Sequence, residues 1–271
     1  MSRLALAAIV KDEAPHLREW LAYYRLRGVA HVYLAVNDDD PAPLEGLLAP
    51  LVDAGWITVK PWPGPAQQLP AYNWAVGEAL KDGYEWVACL DADEFLVSAS
   101  GMDLPLALDG LNAGAIAVNW RVYGHRGLEA MPASVLESNV WRLPHTHRWN
   151  QHVKVIVQPE AVKGFILPHT VWLKRGWQTR TPEGVVVDGP FAPITARTGS
   201  VLTLAHYPLR SRADWVCKMR RGRADLPPDD QPHWDWAFHD LLDRAATEYD
   251  DTMAREVPAV QAMQRTIWGE G

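Results

Sequence analysis

Short apolar runs alternate with amphipathic segments over the first hundred residues. We expect strands at 4–10, 31–36, 57–62 and 86–90, and helices at 13–27, 44–54 and 69–81 between them. Strands that alternate with helices form a parallel sheet with helices packed on its faces. The sequence therefore predicts an α/β fold, and a first hundred residues that supply the nucleotide-binding half of one domain.

Polar residues follow each of the four expected strands. In a parallel sheet the carboxyl ends of the strands meet at one edge, where ligands bind. We expect that edge to carry Lys11-Asp12-Glu13, Asn37-Asp38-Asp39, Gln67-Gln68 and Asp91 with Asp93. The first strand is followed neither by G-x-G-x-x-G nor by a phosphate-binding P-loop, which disfavours the common dinucleotide and triphosphate sites.

The second half of the chain has a different pattern. Short strand-like runs are expected at 116–122, 140–143, 153–157, 164–173 and 201–207, followed by helices at 214–224, 234–247 and 257–267, with Ser211 as the N-cap of the first. We assign residues 101–225 to the second half of the same domain and 226–271 to a C-terminal helical extension. The sheet is therefore expected to be mixed in this half.

The segment from Trp86 to Val97 carries the clearest chemical signal. An apolar run ends at Asp91 and Asp93 and then resumes. Along an extended chain, residues two apart point the same way, so the two carboxylates would repel each other and lose hydration. A divalent cation between them removes both costs, and such an ion completes its shell with water or phosphate oxygens. The pair therefore predicts a metal–diphosphate site.

Composition limits the class of protein. The net charge of −7 argues against nucleic acid as a partner. Two cysteines, Cys89 and Cys217, are expected to be buried thiols in a reducing compartment, and no apolar stretch approaches the roughly 20 residues of a membrane span. We therefore expect a cytoplasmic protein, with peripheral contact at the inner membrane through the basic segment 215–224 left open.

Several motifs occur in one order along the chain. They are Lys11-Asp12-Glu13 with Arg18-Glu19-Trp20, the turn Asn37–Asp40, the W-x-x-x-x-D-x-D-E-F block Trp86–Phe95, Trp120-Arg121-Val122-Tyr123-Gly124, Lys154–Val157, and His206-Tyr207 with Lys218 and Arg221–Asp225. Together they resemble the family-2-like glycosyltransferases of the family 92 type. Three positions differ from the residue that is usual in those motifs: Asp12 stands where Asn is usual, Gln158 where Arg is usual, and Arg210 where Lys is usual.

The resemblance implies a GT-A (Rossmann-like) fold and transfer of a sugar from a UDP- or GDP-linked donor to an acceptor hydroxyl. The acceptor would be a carbohydrate or a lipid-linked glycan, the reaction inverting, and the setting bacterial polysaccharide or glycoconjugate synthesis. A divalent metal, Mn²⁺ or Mg²⁺, would neutralise the leaving diphosphate. Asp93 is expected to be its catalytic ligand, Asp91 to bind the metal or the donor ribose, and His206 to complete the site.

Other residues are predicted to bind the nucleotide-sugar. Asp12, Glu13 and Asp38 are expected near the nucleoside, although a helix cap at Asp12 and a turn at Asp38 explain those two equally well. The remaining donor-binding candidates are Lys11, Gln68, Lys154, Lys218 and Arg221. Asp188 is the predicted catalytic base, with Glu137, His152 and His169 as alternatives.

Two other functions stay open at this point. A nucleotidyltransferase would need a glycine-rich, basic loop after the first strand, and Lys11-Asp12-Glu13 is neither. A non-catalytic nucleotide- or sugar-binding protein would not need Asp91 and Asp93, but the uncertain base keeps that alternative open.

Overall fold

The computed structural model describes residues 2–230 and 235–269. The strands are β1 (Leu4–Val10), β2 (His31–Val36), β3 (Ile57–Pro61), β4 (Trp86–Cys89), β5 (Glu94–Ser98), β6 (Ala115–Gly124), β7 (Trp141–Arg142), β8 (Val153–Val157), β9 (Val162–Leu167), β10 (Thr170–Leu173), β11 (Thr179–Arg180), β12 (Leu202–His206) and β13 (Glu248–Tyr249). The α-helices are α1 (Ala14–Leu26), α2 (Ala42–Asp53), α3 (Gln68–Lys81), α4 (Leu104–Leu108), α5 (Val135–Ser138), α6 (Arg212–Arg221), α7 (Trp236–Ala245) and α8 (Val257–Trp268).

The first four strands form the parallel part of the sheet. They lie in the order β4-β1-β2-β3, and each neighbouring pair is parallel. All seven residues of β1 are buried, as expected for a central strand covered on both faces. The predicted α/β class is confirmed.

The second half of the sheet is mixed, as predicted. β8 pairs antiparallel with both β4 and β6 and so continues the sheet beyond β4. β12 pairs antiparallel with β5 and parallel with β6, which places His206 opposite Glu94. The end of β12 therefore comes to the turn that follows β4.

Helix α8 packs on the first half of the chain, whereas α7 packs against β6. Trp268 Nε1 donates to Leu47 O at 2.7 Å, which joins α8 to α2. The helix expected at 234–247 is α7, and Trp234 lies outside the described residues. The extended segment expected at 164–173 is a hairpin, β9–β10, which forms its own two-stranded sheet. No helix in the described residues combines the length and apolar character that crossing a bilayer requires.

Candidate functional site

Asp91 and Asp93 lie in a turn, and the strand geometry expected for them is wrong. β4 ends at Cys89 and β5 begins at Glu94, and the turn between them is closed by two hydrogen bonds. Glu94 N donates to Asp91 O at 3.1 Å, and Asp91 N donates to Glu94 Oε2 at 2.8 Å. The acidic pair is therefore presented by a tight turn whose carboxylates have different partners.

Asp91 is held by three donors, all on Oδ1. They are Lys154 Nζ at 2.9 Å, Gln68 Nε2 at 2.7 Å and Tyr72 Oη at 3.0 Å. Lys154 is completely buried and Gln68 is buried. The Lys154 ammonium is therefore already bonded to Asp91, and direct contact between Lys154 and the donor stays a prediction. Gln68 likewise spends its amide on Asp91, so both residues position the carboxylate.

Glu94 belongs to the same buried cluster, although no role was expected for it from the sequence. Its side chain accepts from Trp120 Nε1 at 2.7 Å and lies 3.8 Å from Lys154 Nζ. Burial raises the pKa of Glu94 well above its usual range, although Lys154 acts in the opposite direction. The Lys154 ammonium therefore lies close to two buried carboxyl groups, those of Asp91 and Glu94. The only signal in the sequence was the glutamate directly after the acidic pair.

Asp93 has a cation on one carboxylate oxygen and a histidine near the other. Lys218 Nζ donates to Oδ2 at 3.0 Å, and His206 Nε2 lies 3.5 Å from Oδ1. Burial alone would raise the pKa of Asp93, but Lys218 and His206 outweigh it and hold that pKa well below its usual range. Oδ1 is buried and has no hydrogen-bond partner among the described residues. An ionised oxygen in that position is a strong potential ligand.

His206 is suited to coordination in its neutral form. Burial lowers the pKa of His206 below its usual value, although Asp93 opposes the effect. The imidazole packs against Trp120 with ring centroids 4.1 Å apart. The same strand end anchors the turn, because Tyr207 N donates to Asp93 O at 2.9 Å.

Two residues of the site can coordinate a divalent cation, and a bound ligand would have to supply further coordinating atoms. No cluster of three or more His, Cys, Asp or Glu side chains suited to a metal occurs in the described part of the chain. Asp93 Oδ1 and His206 Nε2 are two donors that face each other, and carboxylate with imidazole suits Mn²⁺. The other positions would be filled by phosphate oxygens and water.

Glu13 and Arg221, both expected to contact the donor, bind each other. Arg221 Nη1 lies 2.5 Å from Glu13 Oε1, and Arg210 Nη1 donates to Glu13 Oε2 at 2.6 Å. Both oxygens of the buried carboxylate are thus paired with protein cations, so a direct role for Glu13 at the nucleoside is a poor fit. Arg221 Nη1 also donates to Lys11 O at 2.6 Å, and Arg210 Nη2 donates to Ala92 O at 2.9 Å. This network joins α6 to the loops after β1 and β4.

The loops after β1 and β2 meet at Asp12 and Asp38. Asp38 Oδ1 accepts from Asp12 N at 2.9 Å, and Lys11 Nζ lies 3.2 Å from Asp39. Asp12 has a φ of 55°, an unfavourable left-handed conformation for a residue with a side chain. The helix-cap alternative for Asp12 is wrong, because Glu13 is the N-cap of α1. Backbone strain of this kind is often found at binding sites.

Helix α6 closes the pocket beside Asp93. Ser211 is its N-cap, as predicted, and accepts from Asp214 N at 3.1 Å. The pocket lies between the β1 loop, the acidic turn and this helix; its charged lining includes Asp12, Asp93, Arg210, Lys218 and Arg221. Lys218, which donates to Asp93 Oδ2, therefore lines the same pocket as Asp93.

An aromatic wall borders the other side of His206. Trp120 stacks on His152 at 4.7 Å, and Trp149 stacks on the other face of that imidazole at 4.9 Å. Phe191, whose ring lies 4.7 Å from His152, is 53% exposed. Asp188, the predicted base, has an exposed side chain three residues before Phe191. Asp188 thus lies on the segment that leads to the wall.

Known proteins match parts of this chain. A curated family 92 glycosyltransferase protein of Ricinus communis is 24% identical over 196 residues, covering 68% of this chain and 34% of that protein. The chain therefore spans about a third of that relative's length. S. aureus TarS in complex with UDP gives a TM-score of 0.41 at 10% identity, over 59% of this chain and 47% of that one. Mannose-1-phosphate geranyltransferase of Thermus thermophilus gives 0.33 at 19% identity, over 59% and 50%.

The family match covers the residues of the site's first half. The model of glycosyltransferase family 92 matches residues 7–182, well over half of the 271 residues. That range includes the acidic turn, Trp120 and Lys154, whereas His206 and Lys218 follow it. The chain belongs to glycosyltransferase family 92.

Proposed function

We propose that this protein is a metal-dependent glycosyltransferase that moves a sugar from a nucleotide-sugar to an acceptor hydroxyl. One observation carries the proposal: among the described residues Asp93 Oδ1 is buried without a hydrogen-bond partner, and it lies 3.5 Å from His206 Nε2 at the carboxyl edge of the parallel strands. Family membership supports the reaction class. Glycosyl transfer releases a nucleoside diphosphate, whereas nucleotidyl transfer releases pyrophosphate. The released product therefore distinguishes the two reactions.

Asp93 and His206 would hold the divalent cation, Mn²⁺ or Mg²⁺, together with donor phosphate oxygens. The bound ion would act as a Lewis acid on the leaving diphosphate. Lys218, already beside Asp93 Oδ2, would add a second positive charge to the same phosphates. Asp91, fixed on Oδ1 by Lys154, would orient the turn and leave Oδ2 toward the donor ribose.

Asp12 and Asp38 would accept hydrogen bonds from the nucleoside. Asp38 Oδ2 is buried without a hydrogen-bond partner in the described part of the chain, and burial raises the pKa of Asp38. A ligand N–H or hydroxyl would satisfy that oxygen. Lys11 lies at the same edge of the site through its contact with Asp39.

The acceptor would enter along the aromatic wall, because sugar C–H faces pack on aromatic rings. Asp188 remains our proposed base for an inverting transfer, in which it would take the acceptor proton. The acceptor would be a glycan of a polysaccharide or glycoconjugate. Cys89 and Cys217 are both free thiols, which supports a reducing, cytoplasmic location.

The test combines binding and turnover. Thermal shifts with UDP and GDP, each with and without Mn²⁺ or Mg²⁺, should show stabilisation only when nucleotide and metal are both present. Donor-dependent release of nucleoside diphosphate should follow, and NMR of the product should show an inverted anomeric centre. Metal-dependent binding without any release would identify a non-catalytic binding protein instead. A melting curve unchanged by every nucleotide–metal pair would overturn the proposal.

A further inference from the structure

The β9–β10 hairpin has one face packed on the protein and one face left open. Phe165, Val171 and Leu173 pack on the apolar cluster beneath α3, and the rings of Phe165 and Tyr72 lie 5.4 Å apart. Within residues 2–230 and 235–269, the hairpin pairs with no strand of the main sheet. Its outer face therefore has its own surface chemistry.

That outer face is apolar and aromatic. Ile166 is 55% exposed, Leu167 is 44% exposed, and Trp172 is 59% exposed. Single exposed apolar residues are ordinary on protein surfaces, but three on one short hairpin form a patch. Lys163 Nζ lies 4.8 Å from the centre of the Trp172 ring, so a cation is part of the same patch.

The charge of the hairpin is opposite to that of the whole chain. Residues 162–175 contain Lys163, Lys174 and Arg175 and no acidic residue, whereas the chain carries a net charge of −7. All three basic side chains are exposed. Tryptophan with flanking lysine and arginine is the combination that proteins use at the interface of a membrane, and anionic headgroups attract such basic segments.

We propose that the β9–β10 hairpin docks this protein on the surface of an anionic lipid bilayer. Ile166, Leu167 and Trp172 would enter the interface, and Lys163, Lys174 and Arg175 would contact the headgroups. The basic helix α6, the surface considered for this role from the sequence, is less suitable. Its Lys218 and Arg221 face inward, toward Asp93 and Glu13.

The hairpin is next to the candidate site. His169, at its tip, donates through Nδ1 to Val153 O at 2.7 Å, and its ring lies 5.3 Å from that of Trp120. Phe165 contacts Tyr72, which donates to Asp91. Docking would thus hold the site close to the lipid surface. If the proposed function holds, the acceptor suited to this geometry is a glycan carried on a membrane lipid.

The test is co-sedimentation with vesicles. One set contains phosphatidylcholine and phosphatidylglycerol in equal parts, and the other contains phosphatidylcholine alone. The wild-type protein should bind the anionic vesicles and should be released by salt. Lys163→Ala combined with Ile166→Ser should weaken binding at least about tenfold, since one basic residue near the surface contributes about fivefold.

A matched control removes the same kinds of side chain elsewhere. Leu241 and Arg244 lie on α7, with Leu241 63% exposed and the Arg244 side chain 81% exposed. Leu241→Ser with Arg244→Ala should change vesicle binding less than about twofold. Equal losses in the two double variants, or a wild-type protein that ignores anionic vesicles, would refute the docking surface.

Binding of UDP and GDP with Mn²⁺ in solution, together with the melting temperature, separates the two proposals. Both properties should be unchanged in the hairpin variant, because the exposed side chains of the patch do not contact the site. Vesicle binding without nucleotide binding would leave the docking surface standing and remove the proposed function.

Discussion

Lys154 Nζ lies 2.9 Å from Asp91 Oδ1, and the lysine side chain is completely buried. The lysine comes from β8, which pairs antiparallel with β4, the strand that leads to Asp91. The pairing of β8 with β4 therefore places the Lys154 ammonium next to the Asp91 carboxylate. Burial alone would lower the pKa of Lys154, but Asp91 and Glu94 outweigh it and raise that pKa well above its usual range.

Lys154→Met should destabilise the fold by about 3–5 kcal/mol, because it leaves buried carboxyl groups without their cation. The free energy of unfolding from urea titration measures this. Adding Asp91→Asn should recover part of the loss, since the two residues interact directly. Lys81→Met, at an exposed lysine that pairs with Glu78, should change stability by less than about 0.5 kcal/mol. A Lys154→Met protein as stable as wild type would contradict the assigned role.

Asp93→Asn should weaken nucleotide binding in the presence of Mn²⁺ by at least about 100-fold, or about 3 kcal/mol. The substitution keeps the shape of the side chain but removes the charge next to His206. Isothermal titration with UDP and GDP measures the effect. The control is Asp39→Asn, at an exposed carboxylate on the same edge of the sheet. Binding retained in Asp93→Asn would exclude this carboxylate as the metal ligand.

Asp188→Asn should lower turnover by about 10² to 10⁴ while the donor dissociation constant stays unchanged, because a general base contributes that much to the rate. Glu137→Gln tests a competing exposed carboxylate and should leave turnover intact. Steady-state release of nucleoside diphosphate is the measurement. The opposite pattern in the two variants would move the role of base to Glu137.

Acidification should destabilise the protein through His169. Burial and the Lys154 ammonium lower the pKa of His169 to about 4, whereas an unfolded histidine binds its proton near pH 6.5. The unfolded chain therefore takes up the proton first as the pH falls. The contribution of His169 is complete above pH 6.5 and is lost on the way down to pH 4, a change of about 3 kcal/mol.

His169→Gln should accordingly reduce the difference between the unfolding free energies at pH 7 and pH 4.5 by about 2–3 kcal/mol. Urea titrations at the two pH values measure it. His145→Gln is the matched control, since the His145 side chain lies near the surface and hydrogen-bonds to Thr195 O. An identical pH dependence in wild type and His169→Gln would count against this account.

Asp12→Gly should stabilise the fold by roughly 0.5–1 kcal/mol and weaken nucleotide binding. Glycine adopts a positive φ without the steric cost paid by other residues. Ala66, with a φ of 54°, provides the control. Ala66→Gly should give a similar gain in the free energy of unfolding and leave nucleotide binding unchanged. Equal nucleotide affinity in both variants would remove Asp12 from the proposed site.

The periodic pattern predicted the sheet well, because burial on both faces makes β1, β2 and β4 continuous apolar runs. The turn at Asp91 and Asp93 was not predictable in the same way. Its geometry depends on the Glu94 side chain and on Lys154, which is 63 residues distant from Asp91 along the chain. Strand periodicity carries no information about such contacts.

The roles of the charged residues were harder to predict than their positions. Lys11, Glu13 and Asp38 do lie at one edge of the sheet, as the strand ends indicated, and Arg221 reaches them from α6. Whether a charge faces a ligand or another side chain depends on partners brought in from α6. Arg210 illustrates this, because its pairing with Glu13 spans 197 positions. Considering each motif alone therefore assigns to ligand binding some charged residues that the folded protein pairs with its own side chains.

The placement of β12 between β5 and β6 has a consequence for biosynthesis. Asp93 precedes His206 by 113 positions, and Lys218 comes later still. At 5–20 residues per second, a ribosome needs roughly ten seconds to add the intervening chain. The nascent protein thus exposes its acidic turn before the histidine exists, so Asp93 and His206 come together only after β12 has been synthesised.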